Sequence, residues 1–333
     1  MTDMMRAVCY RQTGSGPDVL HIEEFSIPTL SSDEVLVKVH MSGVNPTDCK
    51  RRSGFRGVMP YDVVIPGYDA SGEIIQVGAN VSNNRIGERV WVWEGAHLKW
   101  DGTAAEYVRV PSSRAMALPD WADDELGASL GVPAITAAHA LRIGAASSGD
   151  VVVITGGGGA VGNAAVSLAH RAGCIVVTTA RDDARKEDAR AAGADYVLEP
   201  DNDQIKEKVL SLSHGKGARV MIDVDLASHI DHAWSYVAEN GTISCYGSQI
   251  NPNPVLPWPK YMYRNIALRG VAIFEVPESD KCAAAQMVQD TLETKAFHKR
   301  IDAIYASSDA GLAHQHQDTG RPRGKVLIKM SEV

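Results

Sequence analysis

The run Gly156-Gly-Gly-Gly159-Ala-Val-Gly162 carries the clearest chemistry in the sequence. It follows the continuous apolar run Val151–Ile154 and opens an Ala-rich stretch that reads as a helix. Spaced glycines in a strand–turn–helix setting permit a tight turn and a close approach of backbone amides to a diphosphate. The last glycine lets helix and strand pack together. The helix start at Gly159, Ala160, Val161 and Gly162 favours negative charge. The competing reading is a flexible turn that holds no ligand.

The end of the next strand selects among dinucleotides. An acid there would bind a ribose 2′-hydroxyl. Here the strand ends Thr178-Thr179-Ala180-Arg181, with Asp182 and Asp183 just beyond. Arg181 and Arg185 offer guanidinium forks to a 2′-phosphate, so the expected cofactor is NADPH. Alternatively, both arginines are solvated and pair with Asp182, Asp183 or Glu187.

These residues need a scaffold, and the sequence describes two kinds. The first third is β-rich. Residues 34–40 alternate as a half-buried strand does, and short apolar runs near 63–77, 89–93 and 105–110 are punctuated by Gly and Pro, suggesting a barrel or sandwich. Near residue 125 a helical pattern begins, broken at Gly131-Val132-Pro133. From 151 strands and helices alternate, which implies a parallel sheet. Residues 281–291 read as a helix. Residues 301–305 and 325–329 read as strands in which the chain returns to the β-rich part.

The length of 333 residues suits two domains. With 44% apolar and 22% charged residues, a large core is expected and disorder is not. A net charge of −8 argues against a nucleic-acid partner. No apolar stretch approaches the length of a membrane span, and the start has no signal-like core. The five cysteines include no CxxC pair, as expected for reduced thiols in a cytoplasmic protein without a structural zinc. His97, His139, His314 and His316 make no metal site by spacing; the last two read as solvated. Asp223 and Asp225 read as strand-end residues.

Further segments match a known family in order along nearly the whole chain. They are residues 5–10 (MRAVCY), 16–20 (GPDVL), Pro28, 42–48 (SGVNPTD), 66–69 (PGYD) with Gly72, Val77-Gly78, 87–90 (GERV), 102–107 (GTAAEY), 130–137 (LGVPAITA) and 192–195 (AGAD). The chain resembles the zinc-independent, zeta-crystallin-like quinone oxidoreductases of the medium-chain dehydrogenase/reductase superfamily. The resemblance implies an α/β protein: a GroES-like β-barrel domain from residues 1–128 and 275–333, and a Rossmann doubly wound parallel-sheet domain from 129–274. The nicotinamide would lie in the cleft between them.

The implied activity is hydride transfer from NADPH to a quinone without zinc. The alternatives are an enone or enoyl carbon–carbon double-bond reductase, and a non-catalytic NADPH-binding protein. The zinc-dependent relatives place Cys and His where Asn45 and Tyr68 stand, with a third ligand near Val132. None of these three supplies a zinc-binding thiolate or imidazole. The resemblance puts Asn45 and Thr136 near the nicotinamide, bordered by Tyr246, Gly247, Ser248 and Phe274. Asn45 also reads as a capping residue before Pro46, and Phe274 as strand-end packing. Arg321, Arg323 and Lys325 are expected to reach the cofactor phosphates, or to make surface salt bridges. Lys50 replaces a pocket tyrosine of many relatives and is counted with Asn45 and Thr136 as catalytic; it suggests a different, even anionic, acceptor. Tyr61, Trp93 and Trp100 are alternative pocket walls, or else core and loop anchors. A homodimer through the Rossmann sheet edge is expected, with no membrane partner.

Overall fold

The computed structural model describes residues 4–55, 57–247, 251–319 and 322–330. Ser248 and Arg321 lie outside the described residues. The chain divides into two compact units, Met1–Val132 with Lys299–Val333, and Pro133–His298. These divisions differ from the expected 128/129 and 274/275. The first falls at a kink in the helix Asp124–Gly144, where Gly131 leaves helical geometry and Pro133 brings no N–H. The second moves because the helix Glu278–Glu293 packs on Ala160–Arg171 in the second unit.

The first unit is built on a seven-stranded sheet with one long strand, Glu34–Val44. Along one edge it pairs antiparallel with Asp69–Val77. The other edge is shared: Tyr107–Pro111 covers residues 34–38, and Lys325–Lys329 covers residues 41–44. All pairings in this sheet are antiparallel except Ile301–Ala306 beside Lys325–Lys329. Val35, Val37 and Val39 are buried at two-residue intervals and join Val90, Val92, Val108, Val326 and Ile328 in one core. Each such buried valine contributes about 1.5–3 kcal/mol of transfer free energy. A separate two-stranded ribbon pairs Met4–Cys9 with His21–Ser26.

The second unit is a six-stranded, all-parallel sheet. In spatial order its strands are Tyr196–Leu198, Ile175–Thr179, Val151–Ile154, Ala218–Asp223, Val237–Cys245 and Ala267–Gly270. Numbered along the chain this is 3-2-1-4-5-6, the dinucleotide-binding order. The direction of winding reverses beside Val151–Ile154, whose four residues are all buried. The edge strand Ala267–Gly270 is exposed at all four residues.

Among the described residues one helix, Asp124–Gly144, is long and apolar enough to cross a membrane, but 78% of the qualifying stretch is buried in the protein. Its apolar character serves the core.

Candidate functional site

The glycine turn sits where the sheet order reverses, after Val151–Ile154 and before the helix Ala160–Arg171. Gly156 has φ +73°, a left-handed conformation suited to glycine. Its N–H donates to the Thr179 hydroxyl at 3.1 Å, and the Gly157 N–H donates to the Thr179 carbonyl at 3.0 Å. The start of the turn is thus tied to the end of the second strand.

A Cβ on Gly157 would stand 2.3 Å from Thr178 Oγ1, on Gly158 2.5 Å from Arg185 Cβ, and on Gly162 2.2 Å from the Gly156 carbonyl oxygen. On Gly159 it would make an ordinary 3.4 Å contact. Three of the glycines are therefore required by neighbours, and Gly162 is the one that allows the helix to start against the turn. Asn163, unremarked in the sequence, donates from its amide to the Gly157 and Asp188 carbonyls at 3.2 and 3.0 Å. It fastens the turn to the next helix.

Gly159 is the N-cap of Ala160–Arg171, with no side-chain cap. The N–H groups of Ala160, Val161 and Gly162 have no acceptor within the helix. The arrangement is a backbone cradle with positive helix-dipole character, and it fits a diphosphate.

Thr179 and Ala180 are buried at the end of the second strand. Arg181 is exposed. Arg185 pairs with Asp182 at 2.5 Å, and Asp182 also caps the helix Asp183–Ala191 through the Arg185 N–H at 2.8 Å. The pairing with Asp182 set out as the alternative for Arg185 is present, while the base of the same side chain abuts Gly158.

On the far side of the reversal, Asp223 ends the fourth strand fully buried. It accepts from the Thr155 hydroxyl at 2.7 Å and lies 3.0 Å from His229 Nδ1. Burial alone would lower the His229 pKa, but the hydrogen bond and charge of Asp223 raise it. Half-buried Tyr246 and Gly247 follow the fifth strand, and burial pushes the Tyr246 phenol well above its ordinary range. Phe274 is half-buried in a short 3-10 turn, and Thr136 is buried after the helix kink.

The first unit carries a second constellation. The strand register dictates it: Gly43 faces Asp69 on one side, and Val44 faces Val326 on the other. Asn45, next along, is therefore flanked by Asp69 and Lys325. Lys325 Nζ donates to Asn45 Oδ1 at 2.6 Å and to Asp69 Oδ2 at 2.5 Å. Asn45 Nδ2 donates to the same Asp69 oxygen at 2.9 Å. The other Asp69 oxygen accepts the Val132 N–H at 2.8 Å. All three side chains are buried.

Asn45 also stands at the N-cap of the helix Pro46–Arg52. Asp48 accepts the Asn45 N–H at 2.8 Å and the Gly67 N–H at 3.0 Å. Burial pushes the Asp48 carboxyl up to about 6, with these two amides pulling the other way. Neither Asp48 nor Asp69 stands out in the sequence, although both fall inside its matched segments.

Several expectations change here. Lys325 is expected at the cofactor phosphates, but its ammonium is buried on Asn45 and Asp69. Arg323 is exposed. His314, expected to be solvated, is buried 3.6 Å from Cys49 Sγ, and burial pushes its pKa down to about 3. Half-buried His316 meets Tyr305 and Asp302. Lys50 lies over the exposed Phe55 ring at 5.6 Å. Tyr61 and Trp100 line an open pocket of about 360 Å³ with Pro60, Asp62 and Val63, whereas Trp93 is buried under Arg114.

Residues 31–120 match the family described as alcohol dehydrogenase GroES-like domain, and residues 160–290 the family described as zinc-binding dehydrogenase. A quinone oxidoreductase of Sus scrofa is 28% identical over 94% of this chain and 94% of its own length. The structure of a mycobacterial quinone oxidoreductase superimposes with a TM-score of 0.83 at 25% identity, covering 98% of this chain and 99% of that one. A mycobacterial protein solved in complex with NADPH gives a TM-score of 0.80 at 26% identity, over 98% and 99%.

Proposed function

Since this chain is a quinone oxidoreductase-like member of the medium-chain dehydrogenase/reductase superfamily, and an oxidoreductase, we propose that it reduces a quinone with NADPH and without zinc. The observation that carries the reading is the glycine cradle at the reversal of a 3-2-1-4-5-6 sheet. Gly156, Gly159, Ala160, Val161 and Gly162 hold the diphosphate, with Thr179 and Ala180 forming the wall beside it. Arg181 and Arg185 receive the 2′-phosphate, Arg185 exchanging its Asp182 partner for it. On this reading Tyr246, Gly247, Phe274, Asn45 and Thr136 border the nicotinamide, and Arg323 reaches toward the phosphates. When bound, the reduced nicotinamide supplies the hydride.

The zinc-free reading rests on the donor set. Asn45, Tyr68 and the Val132 backbone offer no thiolate or imidazole, and the ammonium of Lys325 already neutralises Asp69. An acceptor that needs no Lewis acid is one already electrophilic, a quinone or a conjugated enone. Lys50, beside Phe55, gives the acceptor side a cationic and apolar character. The exposed edge strand Ala267–Gly270, with exposed Trp258 and Tyr263 nearby in sequence, supports a homodimer through that edge. The five cysteines, none of them in a disulfide among the described residues, support a cytoplasmic location.

Initial rates with NADPH and NADH against a panel of benzoquinones and enones test the proposal. Quinone turnover with a lower KM for NADPH is expected, and Arg185→Ala should narrow the gap between cofactors. Turnover of enones alone would replace the quinone reading, and NADPH binding without any turnover would indicate a non-catalytic role. Stoichiometric zinc in the active protein contradicts the zinc-free reading.

A further inference from the structure

We propose that Lys325 is a positioning residue that fixes which way round the Asn45 amide sits, a role that matters for catalysis on the reading of Asn45 given above. The argument is one of donors and acceptors. An ammonium can only donate, so the Asn45 atom 2.6 Å from Lys325 Nζ is the carbonyl oxygen. A carboxylate can only accept, so the Asn45 atom 2.9 Å from Asp69 Oδ2 is the nitrogen. Reversing the amide would set N–H against ammonium and carbonyl against carboxylate, both repulsive in a buried setting where charge is poorly screened.

The pair of opposite charges is itself held. Lys325 Nζ and Asp69 Oδ2 are 2.5 Å apart. Asp69 is anchored through its other oxygen to the Val132 N–H. Gly43 leaves room for the lysine stem: a Cβ there would lie 2.6 Å from Lys325 Cε and 3.2 Å from Asp69 Cβ. A Cβ on Gly131 would lie 2.1 Å from Asp69 Oδ1, so that glycine leaves room for the carboxylate. The Asn45 backbone is pinned separately by Asp48. Two of the four hydrogen-bonding positions of the amide are thereby assigned to Lys325 and Asp69. One Nδ2 proton remains, pointing in a direction the charges dictate. An asparagine so oriented presents a fixed donor to a carbonyl, where an unconstrained amide would present donor and acceptor alternately.

The test begins on the wild-type protein without ligand, by NMR of side-chain amides, with the Asn45 pair assigned by its disappearance in Asn45→Ala. The Nδ2 proton on Asp69 should be downfield and exchange with solvent slowly, and in Lys325→Met this signature should be lost. If Lys325→Met does not fold with Asp69 left uncompensated, the charge-free pair Lys325→Met/Asp69→Asn serves in its place. In turnover, Lys325→Met should lower kcat by about ten- to a hundredfold with the NADPH Kd little changed. Adding Lys325→Met to Asn45→Ala should lower kcat no further, because the lysine acts through the asparagine. Fast exchange of both Asn45 protons in the wild type, or an undiminished second loss in the double variant, overturns the proposal. A protected Asn45 amide in a protein that reduces neither quinones nor enones leaves the positioning role standing and defeats the proposed function instead.

Discussion

The glycine turn and the Asn45–Asp69–Lys325 cluster reach precision by opposite means. The turn is defined by what is absent: side chains at 157, 158 and 162 would collide with Thr178, Arg185 and the Gly156 carbonyl, so backbone amides are left to face a ligand. The cluster is defined by what is present, two buried opposite charges closing on one amide. Local sequence can encode the first, because the parts of the turn itself lie within seven residues. The second requires partners 24, 256 and 280 residues apart to arrive in register. The first should therefore fail by steric intrusion and the second by loss of charge balance.

The largest expected effect breaks the second arrangement. Lys325→Met leaves Asp69 charged and buried, and unfolding measurements should show a loss of about 3–5 kcal/mol. Lys325→Met combined with Asp69→Asn should recover much of it, since removing both charges costs less than removing one. Equal losses in the two variants would mean that packing, not charge balance, holds the cluster.

Asp48 probes the same region through pH. Its folded-state pKa of about 6 lies above the ordinary carboxylate value of 3.8, so the folded form holds the proton more tightly. Its contribution to stability is present below about pH 3.8 and is lost as pH rises through about 6, by no more than about 3 kcal/mol. Asp48→Asn should therefore gain stability relative to wild type as denaturation is moved from pH 4 to pH 7. A relative loss over that range reverses the sign and contradicts a burial-dominated carboxyl.

The turn is probed by a pair of substitutions. Gly162→Ala drives a methyl to 2.2 Å from the Gly156 carbonyl and should cost about 1–3 kcal/mol, with NADPH binding weakened at least in proportion. Gly159→Ala meets only a 3.4 Å contact and should stay within about 0.5 kcal/mol of wild type. Equal behaviour of the two alanines would remove the steric explanation of the turn.

The same contrast explains what could be read from the residues alone. Val151–Ile154, the glycines and the alternating strands and helices after them are local patterns, and the parallel sheet follows from them. The helix Pro46–Arg52 is not legible in the sequence because it is short and mostly polar, with an Asn-Pro start that equally suits a turn. The edge strand Ala267–Gly270 has four exposed residues and no alternation to mark it. Lys325 reads as a ligand of the phosphates because a basic residue in a basic C-terminal segment reads as a solvent-facing cation. Only the pairing of Val326 with Val44 turns it onto Asn45. The helix at 278–293 was visible by its pattern, but the surface it packs against was not.

The most direct measurement is a fluorescence titration of the purified protein with NADPH, repeated on Gly162→Ala. Saturable binding by the wild type, weakened in the variant, is what a backbone cradle at residues 156–162 predicts. A wild-type protein whose signal is indifferent to both NADPH and NADH contradicts it.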